Sequence, residues 1–212
     1  MFDTSLYRGS LTLLRTTPII NWTPIQRCIL MLFMACVVHS IWLMWKLIVI
    51  FNPNFHQYVN LPFLTVSFYV NVFYISTYFG LAMICLSLVR QKNLHTLLIY
   101  ICTSTFGLFL LWDAYIVGVM SPATAIVLIS VIALKLLLFE AKVIYPILFL
   151  AILIIITIAH ATLNGKLSYA PIFDFPGMHN SPYTNQFWCL SMLFIGLPVV
   201  TICFAMFNIF LH

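Results

Sequence analysis

Six apolar runs, most of them roughly 18 residues or longer and nearly free of charge, follow one another along this chain. A helix of that length crosses the ~30 Å hydrocarbon core of a bilayer. Unpaired backbone amides are intolerable there, so runs of this kind fold as helices. Composition leaves no water-soluble alternative, with 64% hydrophobic and 6% charged residues where a soluble domain carries about 25% charged. The expected fold is all-α: a polytopic membrane protein with a six-helix transmembrane bundle.

The boundaries follow from local signals. Thr23-Pro24-Ile25-Gln26 combines an N-cap, a first-turn proline and a capping-box glutamine, so the first span runs over 27–51. Asn52-Pro53-Asn54 ends it. Trp22 is placed at one interface and Trp42 and Trp45 toward the other, as in an aromatic belt. Further spans are expected over 63–89, 94–118, 122–139, 143–160 and 186–211, the fourth opened by Ser121 and Pro122. Residues 1–24 read as an interfacial segment rather than a cleavable leader, with Leu6, Leu13 and Leu14 touching lipid. Residues 25–212 form the membrane domain. Its one long loop, 161–185, is rich in Pro, Gly and Asn and carries Tyr169, Phe173, Phe175 and Tyr183. It is expected to fold back as a cap.

The net charge of +5 marks topology, not nucleic acid. With six crossings, Arg8, Arg15, Arg27, Arg90, Lys92 and Lys142 share one side and only Lys166 lies on the other. That imbalance predicts a multi-pass protein with both termini cytoplasmic. Lys135, near the end of the fourth span, is expected to snorkel to the inner interface.

Catalysis finds no support. The four carboxylates, Asp3, Asp113, Glu140 and Asp174, fall in four different regions, whereas acid–base chemistry needs them convergent. No nucleophile elbow, phosphate loop or metal-binding motif occurs. The six cysteines sit in or beside apolar spans with no paired spacing, so neither disulfides nor zinc are expected. The histidines lie at mismatched depths, which argues against a haem pair. No cofactor is implied.

Polar residues inside the spans carry what functional signal there is. Ser67, Asn71, Tyr74 and Tyr78 are spaced by 4, 3 and 4 residues, which places them on one helical face. In lipid such a stripe turns inward, either to bond neighbouring helices or to line a cavity. Asp113 is an ionisable group below the outer rim of its span, costly enough there to mark a candidate site. Two readings stay open for it. It could lock packing by bonding a neighbour, with Lys46 within geometric reach. Alternatively, Asp113, Trp112 and Tyr115, with Asn71, Tyr74 and Tyr78, could line an outward pocket for a small lipophilic ligand. His39 reads as a core histidine bonded to a neighbouring helix or as a proton-relay group. Pro198, beside Gly196, should kink the last span and is the candidate relay. It has no counterpart in the first half, which speaks against a transporter.

Trp112-Asp113-Ala114-Tyr115, Gly118, Ser121-Pro122-Ala123-Thr124-Ala125, Tyr169-Ala170-Pro171 and the run from Phe187 to Phe194 into Leu197-Pro198 resemble membrane-associated sensor regions of bacterial signalling proteins. These are N-terminal multi-span domains attached to diguanylate cyclase, adenylate cyclase or histidine kinase modules. The likeness covers roughly residues 90–205. It implies an input domain in the bacterial inner membrane that binds a small or lipophilic ligand, or reads membrane state, and passes a shift through the last helix. A second copy of the chain would be a natural partner. No cyclase or kinase module lies within the sequence, so the resemblance implies the membrane part of a longer protein. A stand-alone structural or assembly subunit is the alternative.

Overall fold

The computed structural model describes residues 22–175 and 185–211, so residues 1–21 of the expected interfacial segment 1–24 and the loop residues 176–184 lie outside the described part. The helices are α1 (Pro24–Phe51), α2 (Leu61–Ser87), α3 (His95–Val117), α4 (Pro122–Leu138), α5 (Ala141–Leu163) and α6 (Gln186–Leu211). Short 3₁₀ turns over Pro53–Tyr58 and Lys92–Leu94 join the first three. Among the described residues five helices are long and apolar enough to span a membrane. The sixth, α4, has 17 residues, about 25 Å at 1.5 Å per residue.

Helix starts obey the capping chemistry. Gln26 Oε1 accepts hydrogen bonds from the Thr23 amide at 2.8 Å and the Thr23 hydroxyl at 2.9 Å. Ser121 Oγ accepts from the Thr124 amide at 3.2 Å, satisfying one of the amides a helix start leaves unpaired. One end extends further than expected: α5 continues to Leu163, so the loop begins at Asn164, where Gly165 adopts φ +68°.

The helices do not pack in chain order. α1 lies against α2 along most of its length and also touches α3 and α6, while α4 pairs with α6 and α3 with α5. Consecutive α3 and α4 make few contacts, and this seam stays loosely filled. At the opposite end from the cap, Arg27 joins α1 to α4: its Nη1 donates to the Leu138 carbonyl at 3.0 Å and its Nε to the Trp22 carbonyl at 3.1 Å. Charge-assisted bonds of this kind contribute about 1.5–3 kcal/mol. Arg27→Ala is accordingly expected to lower stability by about 1.5 kcal/mol, read as an earlier midpoint in detergent unfolding.

The described part of the long loop does fold back. Val59 and Phe173 form an antiparallel bridge. The Asn60 amide donates to the Ile172 carbonyl at 3.1 Å, the Asp174 amide to Tyr58 at 2.9 Å and the Ile172 amide to Ile116 at 3.3 Å. Ala170, Ile172 and Phe173 are buried, while the Asp174 side chain is exposed. Beneath this cap, two belt expectations fail. Trp42 and Trp45 are each 6% exposed, turned into the bundle rather than toward headgroups. Trp45 faces Phe173 and Phe187, and Trp42 donates through Nε1 to the Ile195 carbonyl of α6 at 3.0 Å.

Candidate functional site

The polar stripe of α2 meets a matching stripe on α1. His39, Trp42 and Lys46 are separated by 3 and 4 residues, so they share one face, and that face turns toward Asn71. The Asn71 side chain is fully buried and joins both helices. Its Nδ2 donates to the His39 carbonyl at 2.8 Å. Its Oδ1 accepts from Lys46 Nζ at 3.2 Å and lies 3.4 Å from His39 Nδ1. Lys46 also donates to the Ser67 carbonyl at 3.1 Å, and the Tyr78 hydroxyl lies 3.4 Å from His39 Nε2. The imidazole is boxed by aromatic rings, Trp42 at 4.9 Å and Tyr74 at 5.5 Å edge-on, and Tyr78 at 5.4 Å. Tyr74 in turn stacks on Phe109 of α3 at 3.8 Å.

Asp113 enters this cluster from α3. Its Oδ2 lies 3.6 Å from His39 Nδ1, is enclosed, and accepts no hydrogen bond. No ion pair joins Asp113 to Lys46 among the described residues. Asn71 and His39 stand between them instead. A cleft of about 20 Å³ opens beside the carboxylate, bounded by Trp42, Ala114, Thr124 and Ile195, and admits about one water molecule. A second cavity of about 40 Å³ adjoins it, sharing Trp42, Leu110 and Val127 and reaching past His39 to Cys203. Both lie where the α3–α4 seam faces α1 and α6.

The structure therefore brings together Asp113, Asn71, Tyr74 and Tyr78 from the expected set. Trp112 and Tyr115 stand apart. Trp112 is 40% exposed and leans on Tyr115 with ring centres 5.9 Å apart. Neither lines the cleft beside Asp113. Pro198 lies inside α6, one turn beyond the carbonyl that Trp42 holds. A proline removes its own amide and crowds the carbonyl four residues before it, here Phe194, next to Ile195. The central place of His39 and the hook from Trp42 to α6 were missed, although the α1 stripe obeys the same spacing rule as the α2 stripe.

Lys135 overturns another expectation. Instead of snorkelling it is 7% exposed, donating to the Thr103 carbonyl at 3.2 Å with Nζ 4.9 Å from the centre of the Phe106 ring. It approaches α3 where Gly107 has no side chain. No disulfide joins the cysteines among the described residues, and the Cys85 and Cys102 sulfurs lie 3.6 Å apart. Among the described residues no three acidic, histidine or cysteine side chains converge as metal ligands would.

Fold and site together define an all-helical bundle, with five helices among the described residues long and apolar enough to span a membrane, and an interlocked polar cluster under a docked cap. Compared with protein-family models, curated proteins and solved structures, the chain matches none of them.

Proposed function

We propose that this chain is the membrane-embedded input domain of a bacterial signal-transduction protein. In this reading all six helices cross the inner membrane, and the end bearing Arg27, Arg90 and Lys142 faces the cytoplasm with both termini. The observation that carries the reading is one contiguous path. It runs from the enclosed Asp113 Oδ2 to His39 at 3.6 Å, through the His39–Trp42 ring contact at 4.9 Å, to the Ile195 carbonyl at 3.0 Å and to Pro198 within α6. A stimulus at the acid thus has a packed route to the helix that would drive an output.

The cavities at the seam are small, so a lipophilic ligand or a change in membrane state acts by opening α3 from α4. Two packings of the same bundle then differ in how well Asp113 is satisfied, and the stimulus biases them. The test attaches a diguanylate cyclase module behind α6 and measures cyclic dinucleotide in cells. Asp113→Asn keeps the shape and removes the charge. It should change basal output about fivefold or more, the lower end of ordinary coupling energies, and Trp42→Phe should weaken the response by cutting the bond to Ile195. Unchanged output in both variants would count decisively against sensing.

One observation favours the alternative of an assembly subunit or homodimer. α5 buries only Val143 and Ile144 and exposes Tyr145, Phe149, Leu150 and Ile156. A single-species mass for the purified chain in lipid nanodiscs, equal to one copy, removes the homodimer.

A further inference from the structure

A third cavity, of about 70 Å³, lies on another face of α3, between α3, α4 and α5. Its side-chain walls are apolar except at Lys135, and they include Leu111, Ile132, Ile147, Ala151 and Ile155. We propose that this cavity binds one small carboxylate of acetate size, its oxygens on the Lys135 ammonium and its methyl group against the apolar walls.

The first support is depth. Lys135 belongs to the last turn of α4, yet its Nζ points into the bundle. A Cβ on Gly107, midway along α3, would stand 3.6 Å from it, and the side chain is 7% exposed. An ammonium so deep among apolar helices is costly unless an anion neutralises it. No carboxylate of the chain does so among the described residues. Glu140 pairs with Lys142, Asp113 faces His39, and Asp174 is exposed on the cap. A guest anion supplies the missing counter-charge.

The second is bonding capacity. A lysine ammonium carries three donors. Among the described residues the Thr103 carbonyl accepts one at 3.2 Å, and the Phe106 ring lies under the nitrogen at 4.9 Å. At least one donor is left for a guest, and a carboxylate would take it in a charge-assisted bond.

The third is size and lining. One water needs about 10–15 Å³, and a cavity of about 150 Å³ encloses benzene. The space beside Lys135 therefore takes a guest of about four heavy atoms, too few for an acyl chain, a phosphate ester or an aromatic acid. A halide or nitrate asks for polar contacts on all sides, where these walls offer one ammonium. Acetate is divided as the cavity is, with its charge at one end and a methyl group at the other. A four-atom guest binds no tighter than about 40 µM at the usual ceiling per atom, so its affinity belongs in the range up to millimolar.

The test uses the full chain, labelled with ¹⁵N-lysine, in phosphatidylcholine nanodiscs with [1-¹³C]acetate as the probe. Solid-state dipolar recoupling should show a saturable contact of under about 4 Å between the acetate carboxyl carbon and a lysine Nζ. Lys135→Met, close in shape but uncharged, should abolish it. Ala151→Phe, which fills the cavity and leaves Lys135 in place, should reduce it at least tenfold, and it covers the case in which the first variant fails to fold. Benzoate and hexanoate should not compete. No saturable contact at acetate concentrations up to about 20 mM, several hundred times the tightest expected Kd, overturns the proposal. So does an unchanged contact in a folded Lys135→Met, or equal competition by benzoate. Displacement by chloride at lower concentration than acetate assigns the cavity to a halide and overturns it too. The readout is binding, so it stands or falls independently of signalling output.

Discussion

Replacing Asn71 with leucine should destabilise this protein more than any other single change in the bundle, by about 3 kcal/mol. Interhelical hydrogen bonds in membranes average only about 0.6 kcal/mol. The bond from Asn71 Nδ2 to His39 and the two approaches to Oδ1 therefore account for less than about 2 kcal/mol on that scale. The rest comes from Lys46, which is 4% exposed and would keep only the Ser67 carbonyl. Removing one partner of a buried charge typically costs about 3–5 kcal/mol, because the other is left uncompensated.

A double-mutant cycle separates the two contributions. Lys46→Met alone leaves Asn71 Oδ1 facing His39, and the Lys46→Met/Asn71→Leu pair removes charge and amide together. Where both polar partners give way to apolar groups of similar shape, the change can approach neutrality. The double variant should therefore recover at least about 1 kcal/mol relative to Asn71→Leu alone, measured as unfolding midpoints in mixed micelles. A double variant less stable than Asn71→Leu would show that Lys46 still stabilises the bundle without Asn71 and is not left uncompensated.

The same residues show what could be read in advance and what could not. The stripe Ser67, Asn71, Tyr74, Tyr78 was legible because helical periodicity is a local property, and an apolar span with one polar face has to hide it. His39, Trp42 and Lys46 follow the same period on α1. Hydropathy, however, places a tryptophan or lysine near a span end equally well at the headgroups or in the bundle. Only the partner helix decides, and here Ile195 and Asn71 decide it. Lys135 fails for the same reason, since nothing local announces that Gly107 will open a path to the Thr103 carbonyl. The caps at Thr23 and Ser121 came directly from sequence. The non-sequential pairing of α3 with α5 and α4 with α6 did not, because apolar faces of similar composition fit many neighbours. That pairing creates the seam in which Asp113 and its cleft lie.

Gly118→Val should release the cap while leaving the helices in place. Gly118 ends α3 with φ +106°, a conformation in which a β-branched residue is a true outlier. A Cβ there would stand 2.8 Å from Tyr169 Cζ, 2.9 Å from its hydroxyl and 3.1 Å from the Ala170 Cβ. Backbone strain of this sort costs about 1–3 kcal/mol and overpacking a further 1–3 kcal/mol. Ala170 adds to it, since it already holds φ +45° while fully packed against the turn. The least costly escape is local: the segment around 169–175 lifts away. The Asp174–Tyr58, Ile172–Ile116 and Asn60–Ile172 bonds then open without disturbing the contacts of α1 with α2. Amide exchange at Asn60, Ile172 and Asp174 should quicken by about 30-fold, the equivalent of about 2 kcal/mol of local stability, while amides in the middle of α1 and α2 stay protected. Removing the ring as well, in Gly118→Val/Tyr169→Ala, relieves the clash but not the φ strain, so protection should return only in part. Exchange at Ile172 and Asp174 that does not change would mean that the cap is held by Phe173 and Trp45 alone. A rise spread evenly over all six helices would mean that the cap folds as one unit with the bundle and cannot serve as a separate lid over Asp113.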